Sequence, residues 1–308
     1  MSKTNYQYPL VAVVVPVHNN KEDTAEFLES LKSVTYPNYK IIIVDDGSTD
    51  GTEEMIKTAY PEVILLKGDG NLWWSRAVNL GIEKALEICA DYVLLIDNDC
   101  VVDSGFMSAL VETALRNPRS IIVSKVLYYD HPNKIWEAGA DINWFKGEYV
   151  PIGHGEIDKG QYQTERYVKC STLVGALIDV TIFKEMGLMD YKNFPQFKAD
   201  IDFTYRAYKR GYSIIYQPKS QVWHKVDSTI RKKLPKTSSF RSTFIYLTKD
   251  MRSPMNFNAT IKYYLRHCPF YFLPLVLLKY FAVLLLKSWQ HNPLYLDRKK
   301  IPFLQRKS

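Results

Sequence analysis

An apolar run near residue 97 stops abruptly in two carboxylates that flank one amide, Asp97-Asn98-Asp99. Buried parallel strands read as continuous Val, Leu and Ile, and ligands of open α/β sheets bind just beyond the carboxyl ends of such strands. Two hard oxygen donors one residue apart suit Mg²⁺ or Mn²⁺, which takes its remaining ligands from water and substrate phosphates. The tripeptide therefore predicts a site for a metal ion and a diphosphate. The alternative is a strand that ends in an Asx-rich turn.

The elements that position these carboxylates alternate along the amino-terminal half of the chain. Apolar strands with polar ends are predicted at 11–17, 39–44, 63–67 and 92–96, with a further strand at 121–126. Helical patterns are predicted at 24–34, 52–59, 75–89 and 104–117. Such alternation predicts a parallel sheet that is covered by helices on both faces. The polar strand ends then lie along one crevice.

Five motifs occur in an order that is typical of one family. They are Pro16-Val17-His18-Asn19; Asp45-Asp46-Gly47-Ser48-Thr49-Asp50; Asn71 with Asn79-Leu80-Gly81-Ile82; Asp97-Asn98-Asp99; and the stretch 194–212 followed by Val222-Trp223-His224. Over roughly residues 10–230 the chain resembles a family 2 glycosyltransferase with the GT-A fold. The resemblance implies an α/β, Rossmann-like fold, with a mixed, mostly parallel sheet sandwiched by helices.

Two departures from the common family pattern narrow the resemblance. Bulky side chains, Trp73, Trp74 and Arg76, stand where many members carry small residues, so the wall near the donor sugar is larger here. Stacking on a sugar or nucleotide and packing in the core both remain open for the Trp pair. Many members have Glu-Asp-x-Asp where this chain has Ala-Asp-Ile-Asp at 199–202. That pattern, with Trp-His following, resembles the rhamnosyl- and galactofuranosyltransferase branch.

The resemblance implies roles in nucleotide binding for residues after the first two strands. Pro16, Val17 and His18 would lie along the nucleotide, and Asp45 or Asp46 would accept the imino N–H of its base. For the two acids, a turn that leads into the next helix is the alternative. For His18, the alternative is a residue chosen for backbone shape whose side chain points to solvent.

The same resemblance implies the metal and diphosphate side of the site. Asp99 would bind a divalent metal that bridges both phosphates, and His224 would complete that shell. Asp97 and Asn98 would lie against the donor. A core or surface position is the alternative for a lone histidine. Two further residues are predicted near the donor: Asn71 on a loop, and Arg76 paired with phosphate or with a carboxylate of the sheet.

Two acids are candidates for the base of the transfer reaction. Asp200 and Asp202 stand at the start of a helical pattern at 201–210, and residues two apart cannot share one helical face. The resemblance implies that Asp200 is the base and that Asp202 orients the acceptor or caps the helix. The alternative makes both acids first-turn residues that suit the helix dipole.

Composition and missing motifs exclude several other classes. With 46% hydrophobic and 14% aromatic residues, the chain is not a disordered protein. No Gly-x-Gly-x-x-Gly follows the first strand and no P-loop is found, which argues against a nucleotide-dependent oxidoreductase or an NTPase. Four cysteines without short spacing predict neither a zinc nor a redox motif. No nucleic-acid partner is expected. The first residues lack an apolar signal region, so we expect a cytoplasmic protein with reduced thiols.

Charge divides the chain into a domain at 1–230 and an extension at 231–308. The extension holds 16 Lys and Arg residues against two Asp, a net charge of +14, whereas the first 230 residues carry 24 basic and 31 acidic groups, a net charge of −7. Within the domain, a donor half is predicted at about 1–126. The acceptor half is predicted at about 127–230, because 127–175 is irregular and rich in glycine and aromatic residues.

The extension contains an apolar run at 270–286 that is interrupted by Lys279. Spanning a bilayer takes about 20 apolar residues, and a central lysine costs roughly 2.5–3.5 kcal/mol. We therefore expect interfacial helices that bind an anionic membrane surface peripherally, at the inner face of the cell membrane. A buried helix or a homo-oligomer contact is the alternative.

Taken together, the sequence predicts an inverting, metal-dependent glycosyltransferase of surface polysaccharide or glycan synthesis. It would move a hexose, rhamnose being one candidate, from a nucleoside diphosphate sugar to a saccharide or lipid-linked saccharide, with Mn²⁺ or Mg²⁺ as cofactor. The competing hypothesis is a non-catalytic protein that binds a membrane surface or a polyanion through its basic extension. That hypothesis leaves the carboxylates at the strand ends without a role.

Overall fold

The computed structural model of the chain describes residues 8–226 and 239–290, which divide into two compact units. Unit 1 holds residues 8–142, 149–195 and 199–226, and unit 2 holds residues 143–148, 196–198 and 239–290. The expected boundary at residue 230 lies outside the described residues. Unit 2 therefore includes two short segments that charge did not assign to the extension.

The strands and helices are numbered here in chain order. The strands are β1 (Val11–Val17), β2 (Tyr39–Asp45), β3 (Ile64–Lys67), β4 (Tyr92–Leu95), β5 (Cys100–Val102), β6 (Ser120–Tyr128), β7 (Ile135–Glu137), β8 (Ala140–Asn143), β9 (Glu148–Pro151), β10 (Arg166–Tyr167), β11 (Ala176–Asp179) and β12 (Ser213–His224). The helices are α1 (Lys21–Lys32), α2 (Thr52–Ala59), α3 (Trp73–Glu87), α4 (Phe106–Arg116), α5 (Val180–Met186), α6 (Ala199–Lys209), α7 (Phe240–Lys249), α8 (Phe257–His267) and α9 (Leu273–Gln290).

A mixed sheet of ten strands forms the centre of unit 1, with the order β10-β12-β6-β11-β4-β1-β2-β3; β5 pairs with β12, and β7 with β6. The segment β4-β1-β2-β3 is parallel, as the alternating pattern predicts. Antiparallel pairing begins at β11, which lies between β4 and β6. The expected α/β fold with a mixed sheet is confirmed.

Short strands account for the main difference between the predicted and observed elements. The stretch 127–175, predicted to be irregular, contains β7, β8, β9 and β10. These strands have two to four residues, which is too short for an alternating apolar pattern to stand out. Helix α1 begins at Lys21 rather than at Thr24, because Asp50 accepts a hydrogen bond from the Lys21 N–H at 2.9 Å.

The core of unit 1 lies on both faces of the parallel strands. Val11 through Val15 are fully buried, as continuous apolar strands require. Helix α3 packs closely on β1, because a Cβ at Gly81 would lie only 2.3 Å from Val14 Cγ1. The glycine of the Asn-Leu-Gly-Ile motif therefore permits this approach of helix to strand.

Unit 2 is built from α7, α8 and α9, with the residues 143–148 packed among them. Leu247, Tyr280 and Leu284 form its buried centre. The Trp144 ring stacks on the Tyr263 ring at 6.1 Å between centroids. The Lys279 ammonium binds Glu148 at 2.5 Å. The lysine that interrupts the apolar run is thus paired with an acid on the surface of the same unit.

Helix α9 contains most of the predicted apolar run. Pro274 is its second residue, where the missing N–H costs no helical hydrogen bond. In residues 8–226 and 239–290, no helix combines the length and the apolarity that crossing a membrane requires.

Candidate active site

Three parallel strands end at one edge of the sheet. The register pairs Val17 of β1 with Asp45 of β2, and β4 runs parallel to β1 on its other side. The contact continues beyond the strands, since the Asp46 N–H donates to the Val17 carbonyl at 2.8 Å. His18 and Asp46 follow directly after β1 and β2, and Asp97 lies two residues after β4, so these polar residues follow strands that end at the same edge, as predicted.

A short antiparallel ladder brings Asp99 to His224. Strand β5 pairs with the end of β12, with Cys100 opposite His224. The His224 Nε2 atom lies 3.2 Å from Asp99 Oδ1. The ligand atoms of Asp99, Cys100 and His224 all lie within 4.8 Å of one another. Trp136 packs edge-on against the imidazole, with 5.2 Å between ring centroids, which orients the ring.

The donor atoms of this cluster fit a divalent cation held by a carboxylate and an imidazole. Burial raises the pKa of the Cys100 thiol well above its ordinary value, and the charge of Asp99 adds to the rise, so the thiol stays protonated. Burial lowers the pKa of His224, but the hydrogen bond and charge of Asp99, together with the charges of Asp97 and Glu137, outweigh it and the pKa rises overall. Within the described residues, the buried Nδ1 of His224 has no hydrogen-bond partner.

Asp97 lies beside this cluster and is held by Trp74. The indole N–H donates to Asp97 Oδ1 at 2.9 Å. Burial raises the pKa of Asp97, and the charge of Asp99 raises it further. The Asn98 side chain turns away, since its amide donates to Thr24 Oγ1 at 2.8 Å. Trp74 therefore donates a hydrogen bond to a carboxylate of the site. This role differs from both predicted ones, stacking on a sugar or nucleotide and packing in the core.

The two acids after β2 have different partners. Asp46 holds the loop before α3: its Oδ1 accepts from the Gly70 N–H at 2.8 Å, and its Oδ2 accepts from two N–H groups at the start of α3 at 2.9 and 3.1 Å. Asp45 Oδ1 accepts from the N–H and hydroxyl of Ser48 at 3.0 and 2.5 Å. No hydrogen bond to Asp45 Oδ2 is found in the described part of the chain, so Asp45 keeps an oxygen for a ligand.

The end of β1 has the character that a nucleotide-binding edge requires. Pro16 has no N–H to pair, and β4 pairs with β1 only as far as Val14. Val17 is buried. His18 is exposed, and its Nδ1 lies 2.6 Å from the Asp46 carbonyl, so the ring is fixed rather than pointing freely to solvent.

Asn71 and Arg76 lie further from the carboxylates. Asn71 is exposed, and its N–H donates to Asp69 Oδ1 at 2.9 Å. The Arg76 guanidinium is exposed and lies 5.8 Å from the centre of the Tyr191 ring. Within residues 8–226 and 239–290, neither side chain is hydrogen-bonded to Asp97.

Asp200 and Asp202 occupy the first turn of α6 in different surroundings. Asp202 is fully buried, and its Oδ2 accepts from Arg206 Nε at 2.8 Å. Burial raises the pKa of Asp200 to about 7, and the charges of Glu137 and Asp97 add to the rise. A carboxylate with such a pKa can accept a proton near neutral pH.

Glu137 is a buried residue of the site that the sequence did not reveal. It ends the three-residue strand β7, and only 1% of it is exposed. Its charge acts on both Asp200 and His224. A lone glutamate within a stretch rich in glycine and aromatic residues carries no spacing signal, so only the packing of β7 against β6 identifies it.

The chain belongs to glycosyl transferase family 2, because the profile of that family matches residues 12–181. This match includes the carboxyl ends of β1, β2 and β4. It confirms the family that the order of motifs indicated.

Curated relatives include enzymes of two kinds. The chain is 25% identical over 228 residues to a poly-beta-1,6-N-acetyl-D-glucosamine synthase of Staphylococcus aureus (strain COL), with 71% of this chain and 51% of the synthase covered. It is 26% identical over 260 residues to an N-acetylglucosaminyl-diphospho-decaprenol L-rhamnosyltransferase of Mycobacterium tuberculosis (strain CDC 1551 / Oshkosh), with 78% and 83% covered. The chain thus spans about half the length of the synthases that it matches.

Solved structures of similar fold include two glycosyltransferases. The crystal structure of GalNAc-T7 with UDP, GalNAc and Mn²⁺ superimposes with a TM-score of 0.58 at 16% identity, covering 71% of this chain and 44% of that one. The structure of residues 1–349 of S. aureus TarS gives a TM-score of 0.52 at 13% identity, covering 94% and 82%. At these identities the likeness concerns the fold alone, which is GT-A.

Proposed function

We propose that the chain transfers a sugar, with inversion, from a nucleoside diphosphate sugar to a saccharide or lipid-linked saccharide. One observation carries this proposal. Asp97, which lies beside the pair of Asp99 and His224, also acts electrostatically on Asp200, whose pKa is raised to about 7. One set of groups suits a departing diphosphate and the other suits an attacking alcohol. Inverting transfer requires both.

The donor side of the proposal assigns Asp99 and His224 to the cation and Asp45 to the nucleotide base. A bound Mn²⁺ or Mg²⁺ would neutralise the charge that develops on the leaving diphosphate. The Oδ2 oxygen of Asp45, for which residues 8–226 and 239–290 provide no hydrogen bond, supports its role as acceptor of an imino N–H. Pro16, Val17 and His18 would form the wall beside the nucleotide.

On the acceptor side, Asp200 would take the proton of the attacking hydroxyl. An alcohol becomes acidic only as the new bond forms, so a carboxylate is a sufficient base. Asp202, paired with Arg206, would hold the helix rather than contact the acceptor. The Asp200 carboxylate also lies near Asp97, which links the base to the donor side.

Relatives suggest where to begin the search for substrates. Both curated relatives carry N-acetylglucosamine in their names, and one is a rhamnosyltransferase. The first acceptors to test are therefore N-acetylglucosamine glycosides with an alkyl chain. The first donors are UDP-N-acetylglucosamine, UDP-galactofuranose and dTDP-rhamnose, screened by thermal shift with Mn²⁺, because a bound donor raises the melting temperature.

Transfer should depend on pH through Asp200. The folded-state pKa of this acid is raised to about 7, so the carboxylate is protonated below that pH and ionised above it. We expect kcat/KM to fall about tenfold for each pH unit below this pKa and to level off above it. This fall is the acid limb of the pH profile. A pH profile between 5 and 9 at saturating Mn²⁺ measures the limb. A profile that is flat through this range contradicts the assignment of a base with this pKa.

The apolar face of α9 supports a second part of the proposal, peripheral binding to an anionic membrane. Leu278, Phe281, Leu285 and Trp289 are 43–70% exposed and recur at spacings of three or four residues, so they share one face. The opposite face, with Tyr280 and Leu284, is buried. Residues 239–290 hold seven Lys and Arg against one Asp, which suits anionic headgroups.

Replacing Leu278 and Leu285 by glutamate is expected to release the protein from vesicles of phosphatidylglycerol and phosphatidylethanolamine. Each buried leucine is worth about 1.5–3 kcal/mol, so we expect a loss of at least tenfold in vesicle binding. Cosedimentation measures it. Leu115→Glu, at an exposed leucine of α4, is the matched control and should bind normally. Normal binding by the α9 variant, or no binding by the unaltered chain, would reject membrane binding through this face and leave an oligomer contact or a core element as the alternatives.

A further inference from the structure

Glu137 is a buried acid, and both oxygens of its carboxyl group are fully engaged in hydrogen bonds. Its Oε1 accepts from Ser171 Oγ at 2.8 Å and from the Thr172 N–H at 3.2 Å. Its Oε2 accepts from the Tyr149 hydroxyl at 2.6 Å and from Thr172 Oγ1 at 3.1 Å. Burial raises the pKa of Glu137 while these four donors oppose the rise. Because each oxygen already accepts two hydrogen bonds, the carboxylate has no free lone pair to accept a proton from a substrate.

The segment that Glu137 holds is itself hydrogen-bonded to Thr204 in the second turn of α6. The Ser171 N–H donates to Thr204 Oγ1 at 3.3 Å, and the Thr204 hydroxyl reaches the Ser171 carbonyl at 3.2 Å. The same hydroxyl lies 2.9 Å from the carbonyl of Asp200. A continuous hydrogen-bonded path therefore runs from the Glu137 carboxylate to the backbone that carries Asp200.

The titratable groups that act on Asp200 come from several elements. Asp97 after β4 and Glu137 at the end of β7 act on Asp200, and Asp200 in turn acts on Tyr149 of β9 and on Cys170 before β11. The Tyr149 phenol and the Cys170 thiol are protonated at neutral pH because burial raises both of their pKa values. Glu137 is thus one of the two carboxyl groups that act on Asp200, and the one that is also linked to α6 through hydrogen bonds.

We propose that Glu137 is a positioning residue for sugar transfer, which fixes the Asp200 carboxylate through Ser171 and Thr204 and presents a negative charge to it. This inference rests on the proposed function, since it gives Glu137 a role only if Asp200 is the base. Glu137 itself contacts neither donor nor acceptor in this account. Its effect therefore belongs to the chemical step and not to donor binding.

The test is Glu137→Gln, which keeps the shape of the side chain and removes its charge. We expect kcat to fall by about tenfold or more, with KM for the donor changed by less than about twofold. The acid limb of kcat/KM should move to lower pH, because a like charge beside Asp200 is lost. A residue that only fills space would not move this limb. Unchanged kcat and an unchanged limb overturn the inference.

Two further variants keep the test decisive. Glu165→Gln is the matched control, because Glu165 also binds several partners, Arg116 and Gln217 among them, and it should leave kcat and the limb unchanged. If Glu137→Gln does not fold, Tyr149→Phe replaces it: a lower kcat with unchanged donor KM supports the inference, and unchanged kinetics overturn it. An inactive Asp200→Asn beside a normal Glu137→Gln rejects only this inference, whereas an active Asp200→Asn rejects the proposed function.

Discussion

Asp200→Asn is expected to lower the transfer rate by about 10² or more, while donor affinity stays nearly unchanged. Asparagine keeps the size of the side chain and can still accept a hydrogen bond from the next backbone N–H, the bond that Asp200 makes at 2.8 Å. It cannot take a proton from the acceptor. The measurement is initial transfer velocity at saturating donor and acceptor, with donor affinity measured separately by titration.

The controls for this prediction are two other Asp→Asn changes. Asp141→Asn alters an exposed ion pair with Lys169 and should transfer sugar normally. Asp202→Asn removes the buried negative charge that is paired with Arg206 and should lower the melting temperature. If Asp202→Asn is folded and inactive while Asp200→Asn is normal, the base has been assigned to the wrong acid. If both variants are active, neither acid is the base and the proposed inverting mechanism is wrong.

Asp99→Ala is expected to reduce activity by about 10² or more even at saturating Mn²⁺. The variant removes the carboxylate whose Oδ1 atom lies 3.2 Å from His224 Nε2. A bound cation would therefore lose the oxygen ligand beside the imidazole. Removing divalent cations from the unaltered protein with a chelator should abolish transfer, and added Mn²⁺ should restore it. The measurement is transfer velocity across a Mn²⁺ titration.

An exposed acid provides the control for the metal prediction. Asp130→Ala, on the turn between β6 and β7, should give the Mn²⁺ dependence of the unaltered chain. Activity of Asp99→Ala within a few-fold of the unaltered chain would remove Asp99 from the site. Full activity of the unaltered chain in excess chelator would remove the cation from the account.

The strand ends of the donor half could be predicted because the apolar runs that mark these strands are continuous in the sequence. Val11–Val17 and Tyr92–Leu95 are continuous apolar runs, and they are buried between neighbouring strands as such runs require. Ligand-binding residues follow a parallel strand directly, so the position of Asp97 and Asp99 could be read from the chain. The family's order of motifs then connected them to a distant histidine.

The cluster of Asp99, Cys100 and His224 could not be derived from local pattern. It depends on β5, a strand of three residues whose register places Cys100 opposite His224 across more than 120 positions of chain. No periodicity identifies so short a strand, and His224 was recognised only through resemblance. The nearness of the Cys100 thiol to Asp99 therefore became visible only in the fold.

Two further residues of the site were hidden because their roles are contacts between distant elements. Trp74 contributes an N–H to Asp97 although the two lie on different elements, α3 and the segment after β4. Its neighbour Trp73 adopts a left-handed backbone, with φ of 58°, where the Asp46 carboxylate accepts its N–H. Glu137 is hidden in the same way, since all four of its donors come from residues 149–172.

The most direct test of the proposal is the release of nucleoside diphosphate from a panel of nucleotide sugars by the purified protein. The account predicts slow release from one donor that requires Mn²⁺ or Mg²⁺, is faster with an acceptor glycoside, and is lost in Asp99→Ala. Absence of release and of binding with every donor, by a folded protein that still binds anionic vesicles, would contradict it and favour a non-catalytic membrane-binding protein.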